Sequence, residues 1–259
     1  MGEMPEQFIV ETHVHICEPR FDADRDEMLK RSFESGIRKI INIGADVEEN
    51  KKVIKFEKEG VFKSIGLHPH YIDEINDDVF NEIEGFIKNI KKIVAIGEIG
   101  LDYFKSPTSR ELQTEIFKKF LIIAKEHNLP VIIHSRDAHE DVYDMLKEHK
   151  IERRGVIHCF TGGLDVAKKF IDLGYFLGIG GVVTFPNSGA LKETIKNISI
   201  ENVVLETDAP WLAPQQQRGK RNEPAYLNYV IEEIARIKNL DKNDIIRQTT
   251  KNAEEIFNI

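Results

Sequence analysis

Two histidines, His13 and His15, stand one residue apart in Glu11-Thr12-His13-Val14-His15, at the end of an apolar run. On an extended strand alternate side chains point to the same side, so the two imidazoles face one point. Neutral imidazole suits Zn, Mn, Fe or Ni, and added carboxylates favour a hard divalent ion or a two-metal site. Four more groups of this kind follow other apolar runs: Glu98 in Gly97-Glu98-Ile99-Gly100-Leu101-Asp102, His134 in Ile132-Ile133-His134-Ser135-Arg136, His158 in His158-Cys159-Phe160, and Asp208 in Leu205-Glu206-Thr207-Asp208. Glu98 has two oxygens and could bridge a pair of ions about 3.5–4 Å apart. His13, His15 and Asp208 would complete one shell, and His134 and His158 the other. A hydroxide held between the ions is a nucleophile at neutral pH, and Asp208 could accept the proton of that water. Taken singly, His-x-His arises by chance and a carboxylate caps a helix; here all six would have to be coincidences together.

These groups need a frame that brings six chain-distant positions to one place. Eight short runs rich in Val and Ile have the both-faces-apolar character of buried parallel strands: Phe8–His13, Lys39–Ile43, Phe62–Gly66, Ile93–Ile96, Val131–His134, Gly155–His158, Tyr175–Ile179 and Val203–Glu206. Helical patterns lie between them. Gln113–Ala124 carries one broad apolar stripe with Thr108 and Glu111 as its expected capping box, and Tyr226–Ile237 repeats the stripe. Eight strand signals alternating with helices over 259 residues predict an α/β fold, a (β/α)8 TIM-type barrel of metal-dependent hydrolase type, as one domain over residues 1–259. A doubly wound open sheet is the competing arrangement. In a barrel the chemistry sits at the carboxyl ends of the strands. Six of the nine histidines fall there, which scattered core histidines would not do.

Several stretches resemble the TatD family of metal-dependent deoxyribonucleases, a group of amidohydrolase-like barrels. They are Phe21-Asp22-Ala23-Asp24-Arg25, Gly97 to Tyr103, Leu129 to Arg136, His158-Cys159-Phe160-Thr161-Gly162, Glu206-Thr207-Asp208-Ala209-Pro210 and Arg221-Asn222-Glu223-Pro224. The likeness runs from the first strand to Asn252-Ala253. It implies a TIM-type barrel and a divalent-metal phosphodiesterase acting as a 3′→5′ exonuclease on single-stranded DNA. It also implies that His13, His15, Glu98, His134, His158 and Asp208 are metal ligands. Ligand types favour Zn or Mn, whereas the family's nuclease activity is associated with Mg, so two divalent ions of one of these kinds are expected. The family usually begins Asp-x-His-x-His; Glu11 stands at the first position here, which bears on a supporting contact and leaves both histidines intact. A carboxylic-ester or amide hydrolase on the same barrel, acting on a lactone or a D-aminoacyl-tRNA, is the alternative.

The remaining candidates surround this set. His68, in Gly66-Leu67-His68-Pro69, matches a position near the scissile phosphate and is a candidate catalytic and substrate-binding group, with a turn role beside Pro69 as the alternative. His70 reads as a loop histidine. Arg136 shares the parity of His134 and either meets a phosphate oxygen or pairs with Asp137 or Glu140. Arg221 lies in the basic loop Gln215–Asn222 and, on the resemblance, contacts substrate; Tyr103 is a further substrate-binding candidate able to stack a base. Glu206 shares one side of the eighth strand with Asp208 and either orients a ligand or forms a structural ion pair. Cys159 is expected to point away from the metals, and the Gly178–Gly181 run to form a turn that keeps the barrel mouth open.

Thirty-six basic against 44 acidic residues give a net charge of −8, so no global field draws in a polyanion; local cations and metal ions must hold one. Two cysteines build no disulfide framework. Met1–Gln7 lacks a signal-peptide pattern and no apolar run reaches the ~18 residues of a membrane span, so a cytoplasmic protein with no obligate protein partner is expected.

Overall fold

Eight parallel strands pair in sequence order, each with the next, in a computed structural model of the chain that describes residues 7–73, 75 and 77–259. They are β1 (Ile9–Val14), β2 (Ile37–Ile43), β3 (Val61–Ile65), β4 (Ile93–Asp102), β5 (Val131–Arg136), β6 (Gly155–Ile157), β7 (Phe176–Ile179) and β8 (Val203–Leu205). The sheet closes through a bridge between Val14 and Ala209, where His15 N donates to Ala209 O at 2.9 Å and Asp208 N donates to His13 O at 3.0 Å. The closing seam is therefore built from the very residues that carry the first metal-ligand candidates. The expected barrel is present. All but the Gln7 end of the Met1–Gln7 stretch lies outside the described residues. Among the described residues no helix is long and apolar enough to cross a membrane.

The helices are α1 (Arg25–Glu34), α2 (Val47–Lys55), α3 (Asp77–Asn89), α4 (Arg110–Glu126), α5 (His139–Glu148), α6 (Leu164–Asp172), α7 (Gly189–Asn197), α8 (Leu227–Lys238) and α9 (Lys242–Phe257). The α4 stripe of Ile116, Phe117, Phe120, Leu121, Ile123 and Ala124 is buried against the sheet, as its spacing requires. Its cap differs from the expectation. Ser109, one residue later than Thr108, accepts from Leu112 N at 3.3 Å. The Thr108 carbonyl instead accepts from Gln113 Nε2, which also bonds the Asp102 carbonyl and so ties α4 to the end of β4.

Val10, Ile41, Ile43, Ala95, Ile132, Val156 and Val204, from six strands, pack on Ala253, Ile256 and Phe257 of α9. Thr250 Oγ1 donates to Phe8 O, and Asn252 Nδ2 to Val203 O, so α9 covers the amino end of the barrel. The carboxyl end stays open. It carries a cleft of about 670 Å³.

Candidate metal centre

β4 runs six residues beyond the expected stretch, because Ile99 to Asp102 pair with Ile133 to Arg136 of β5. This register sets Gly100 beside His134 and Asp102 beside Arg136. Ser64 Oγ on β3 donates to Gly97 O at 2.7 Å and fixes the strand just before Glu98. Glu98 is buried at the centre of the cleft floor. Its Oε2 lies 3.3 Å from His13 Nε2 and 3.7 Å from His15 Nε2, while its Oε1 lies 2.9 Å from His134 Nδ1 and 3.7 Å from His158 Nε2. Asp208 Oδ1 lies 3.7 Å from His13 Nε2 and 3.8 Å from both His15 Nε2 and His158 Nε2. The His13 and His15 Nε2 atoms are 3.2 Å apart, and the His13 and His158 rings stack with centroids 3.5 Å apart. All six expected groups thus converge.

These spacings suit a cation. Ligand atoms around an ion with bonds of about 2.1 Å sit roughly 3.0–3.4 Å apart, close to the separations here. In the groups His13–His15–Asp208 and His68–Glu98–His134 a possible ligand atom of each residue lies within 4.8 Å of the others. The electrostatics agree. Burial disfavours charge on Glu98, yet the imidazoles of His158, His68 and His13 outweigh it and hold the carboxyl well below its ordinary range. Burial likewise works against charged His158 and His15, but Glu206 and Glu98 lift His158 to about 10 and Glu49 lifts His15 to about 9. Asp208 is pushed up to about 6, chiefly by burial. A divalent cation replaces such bound protons, and binding is accompanied by their release.

Supporting contacts come from residues with less obvious roles. Glu206, fully buried, accepts from Cys159 N at 2.6 Å, and its Oε1 lies 3.0 Å from His158 Nδ1, which turns His158 Nε2 toward Glu98. The glycine at 178 makes room for that carboxylate: a Cβ there would stand 2.2 Å from Glu206 Oε2. Close packing, beside the turn after β7, thus accounts for part of the Gly178–Gly181 run. Glu11 accepts from His13 N and Thr207 N, bracing β1 against the end of β8, and burial raises its carboxyl to about 8.

Four expectations need correction, those for Cys159, His70, Tyr103 and Arg221. Cys159 does not follow strand alternation, because β6 ends at Ile157 and Cys159 takes a left-handed φ of 47°. Its thiol lines the cleft and groups with His158 and Asp208. His70 is no free loop histidine: its Nε2 is 2.9 Å from Asp102 Oδ2, whose carboxylate also lies 3.1 Å from His134 Nε2. Tyr103 turns to the helix layer, donating to Asp141 Oδ2 at 2.6 Å with Arg110 over its ring. Asp102 and Glu49 are residues of the cleft that sequence reasoning left unassigned. Asp102 sits four residues after Glu98 on one strand, a usable signal; Glu49 reads only as an acidic residue in the first turn of α2, yet it lies 3.3 Å from His15 Nδ1.

His68 lines the cleft with Nε2 3.7 Å from Glu98 Oε1, while its Nδ1 accepts from His70 N and caps the turn Pro69–Tyr71. Burial lowers it to about 3, so it is a neutral imidazole. Arg136 also lines the cleft. Arg221 does not: its guanidinium is bidentate to Asp24 at 2.6 and 2.8 Å and donates to Arg20 O, tying the loop Gln215–Asn222 to the start of α1. Arg31 joins from α1, bonding Asp24 and Glu223. The Arg221 and Arg31 guanidinium groups hold the Asp24 carboxyl well below its ordinary value. Asp24→Asn is expected to cost about 1 kcal/mol at neutral pH, given partial exposure, and to lower Tm by roughly 2–4 °C. A depressed native pKa stabilises above the unfolded value of about 3.9 and ceases to do so as pH falls through the native one. The Tm gap between variant and parent should therefore narrow from pH 7 to pH 3; a constant gap contradicts the ion-pair account.

A family model described as TatD-related DNase matches residues 10–258. The chain belongs to the TatD family. It is 38% identical over 257 residues to the uncharacterized metal-dependent hydrolase YabD of Bacillus subtilis, covering 97% of this chain and 99% of that one. It is 31% identical over 255 residues to the 3′-5′ ssDNA/RNA exonuclease TatD of Erwinia tasmaniensis, with 95% and 98% covered. The crystal structure of the TatD homologue YjjV from Escherichia coli superposes with a TM-score of 0.94 at 30% identity, over 99% of this chain and all of that one. This TatD-family chain is a metal-dependent hydrolase whose cleft holds His, Glu and Asp clusters able to bind metal.

Proposed function

We propose that this hydrolase removes nucleotides one at a time from the 3′ end of single-stranded DNA, with two divalent ions held by His13, His15, Glu98, His134, His158 and Asp208. The observation that carries the reading is Glu98, whose two oxygens face two different sets of imidazoles, His13 and His15 on one side and His134 and His158 on the other. Divalent ions held by these residues would supply Lewis acidity toward a phosphoryl oxygen and lower the pKa of water. Asp208, at the edge of both sets, accepts a proton from the attacking water as the phosphorus–oxygen bond to the 3′ oxygen of the shortened strand breaks, and that oxygen takes up a proton to leave as a hydroxyl. Neutral His68 and cationic Arg136 meet the phosphate oxygens, Glu206 keeps the His158 ring oriented, and Glu11 fixes the backbone at His13. The name of the Erwinia relative supports the polarity and the single-stranded substrate. For this chain, a single-stranded oligonucleotide labelled at its 3′ end should lose label before a 5′-labelled one shortens, in Mn or Mg, and chelator should stop both. No metal-dependent shortening, alongside rapid turnover of a lactone or aminoacyl ester, overturns the reading in favour of a carboxylic-ester hydrolase.

A further inference from the structure

Several cations of this acidic chain, Arg31, Arg221 and Lys169 among them, each meet a carboxylate. Lys52, Lys105 and Arg136 line the cleft, and among the described residues none of the three has a carboxylate partner; two of them, Arg136 and Lys105, share a neighbour. Both lie against one ring: the Arg136 guanidinium is 4.7 Å and the Lys105 ammonium 5.6 Å from the centroid of Phe104. Phe104 remains 54% exposed, a large apolar surface left to solvent at the rim. The base of this cluster is rigid. Asp102 Oδ1 accepts from Phe104 N and Lys105 N, and Asp102 itself faces His134 and His70 on the cleft floor.

We infer that Phe104, Arg136 and Lys105 form a nucleotide subsite beside the metal centre, the exposed ring and the guanidinium laid on it stacking an unpaired base while the two cations hold its phosphate. The ligand class rests on the nuclease reading; the subsite adds which wall of the cleft takes the base. Cations without a carboxylate partner favour an anion there. Stacking on an aromatic or a guanidinium plane requires a base free of its partner, which selects a single strand over a duplex. A base-free ester gains nothing from Phe104.

The test is binding of a 5′-fluorescein phosphorothioate single strand, and of the same strand with abasic sugars, to the metal-loaded protein by fluorescence anisotropy. Phe104→Ala should raise Kd for the intact strand about tenfold and leave the abasic strand unchanged, and Phe104→Tyr should restore the parent value. Arg136→Gln and Lys105→Gln should weaken both strands and each lower the slope of log K against log salt by about 0.7. An intact-to-abasic Kd ratio that is the same in Phe104→Ala and the parent overturns the subsite. Cleavage is read separately: Phe104-dependent binding without release of nucleotides keeps the subsite and removes the exonuclease reading.

Discussion

Glu98→Gln is expected to reduce turnover about 10³-fold at saturating metal and to lower the metal retained after gel filtration relative to the parent. Glu98 is the only carboxylate in contact distance of His13, His15, His68, His134 and His158 together among the described residues. An amide keeps the shape and loses the charge, so five imidazoles then face a neutral group. Charge stabilisation of several kcal/mol in the transition state is at stake, and about 4 kcal/mol corresponds to roughly 10³ in rate. Atomic-absorption metal content and single-turnover rates check the two halves independently. A variant with parental metal content and parental rate would show that Glu98 bridges nothing.

Gly100→Ala should be the most damaging small substitution near the centre. Gly100 holds φ +144°, in the region that disfavours residues with a Cβ, and pairs with His134 across the β4–β5 seam. A Cβ would stand 2.0 Å from His134 O and 3.0 Å from His134 N, backbone atoms that cannot rotate away. Strained backbone and overpacking cost about 1–3 kcal/mol each. We expect a loss of about 3 kcal/mol, a fall in Tm of roughly 6–12 °C by thermal melting, and lower metal affinity because His134 moves with its strand. An unchanged Tm would mean that β4 shifts freely at this point, against the register that sets Glu98 and Asp102 into the cleft.

Legibility in the sequence differed by the range of the interaction. Strand positions came from runs of Val and Ile, and the α4 and α8 stripes from helical spacing, because burial of one face is a local, periodic demand. The end of β4 was not legible. Gly97 and Gly100 lie beyond the expected stretch Ile93–Ile96, and only the neighbouring His134 and Ile132 explain why a strand there needs them. Cys159, Tyr103 and Arg221 were misplaced for the same reason: alternation and local basicity say nothing about a left-handed residue at a strand end, or about a carboxylate such as Asp24 waiting 197 residues away.

What the order of residues determined by itself was a barrel-forming rhythm and a set of imidazoles and carboxylates parked at strand ends. Any closed parallel barrel carries those ends to one rim, so convergence of His13, His15, Glu98, His134, His158 and Asp208 followed from topology alone. Tertiary structure decided everything that depends on which neighbour each rim residue meets: that Glu206 steers His158, that Asp102 joins His70 to His134, that Arg221 is spent on Asp24 while Arg136 and Lys105 lie on Phe104 and meet no carboxylate among the described residues. Those choices are set by angstrom-scale register between strands and loops, and a linear pattern of residue types does not encode distance between segments.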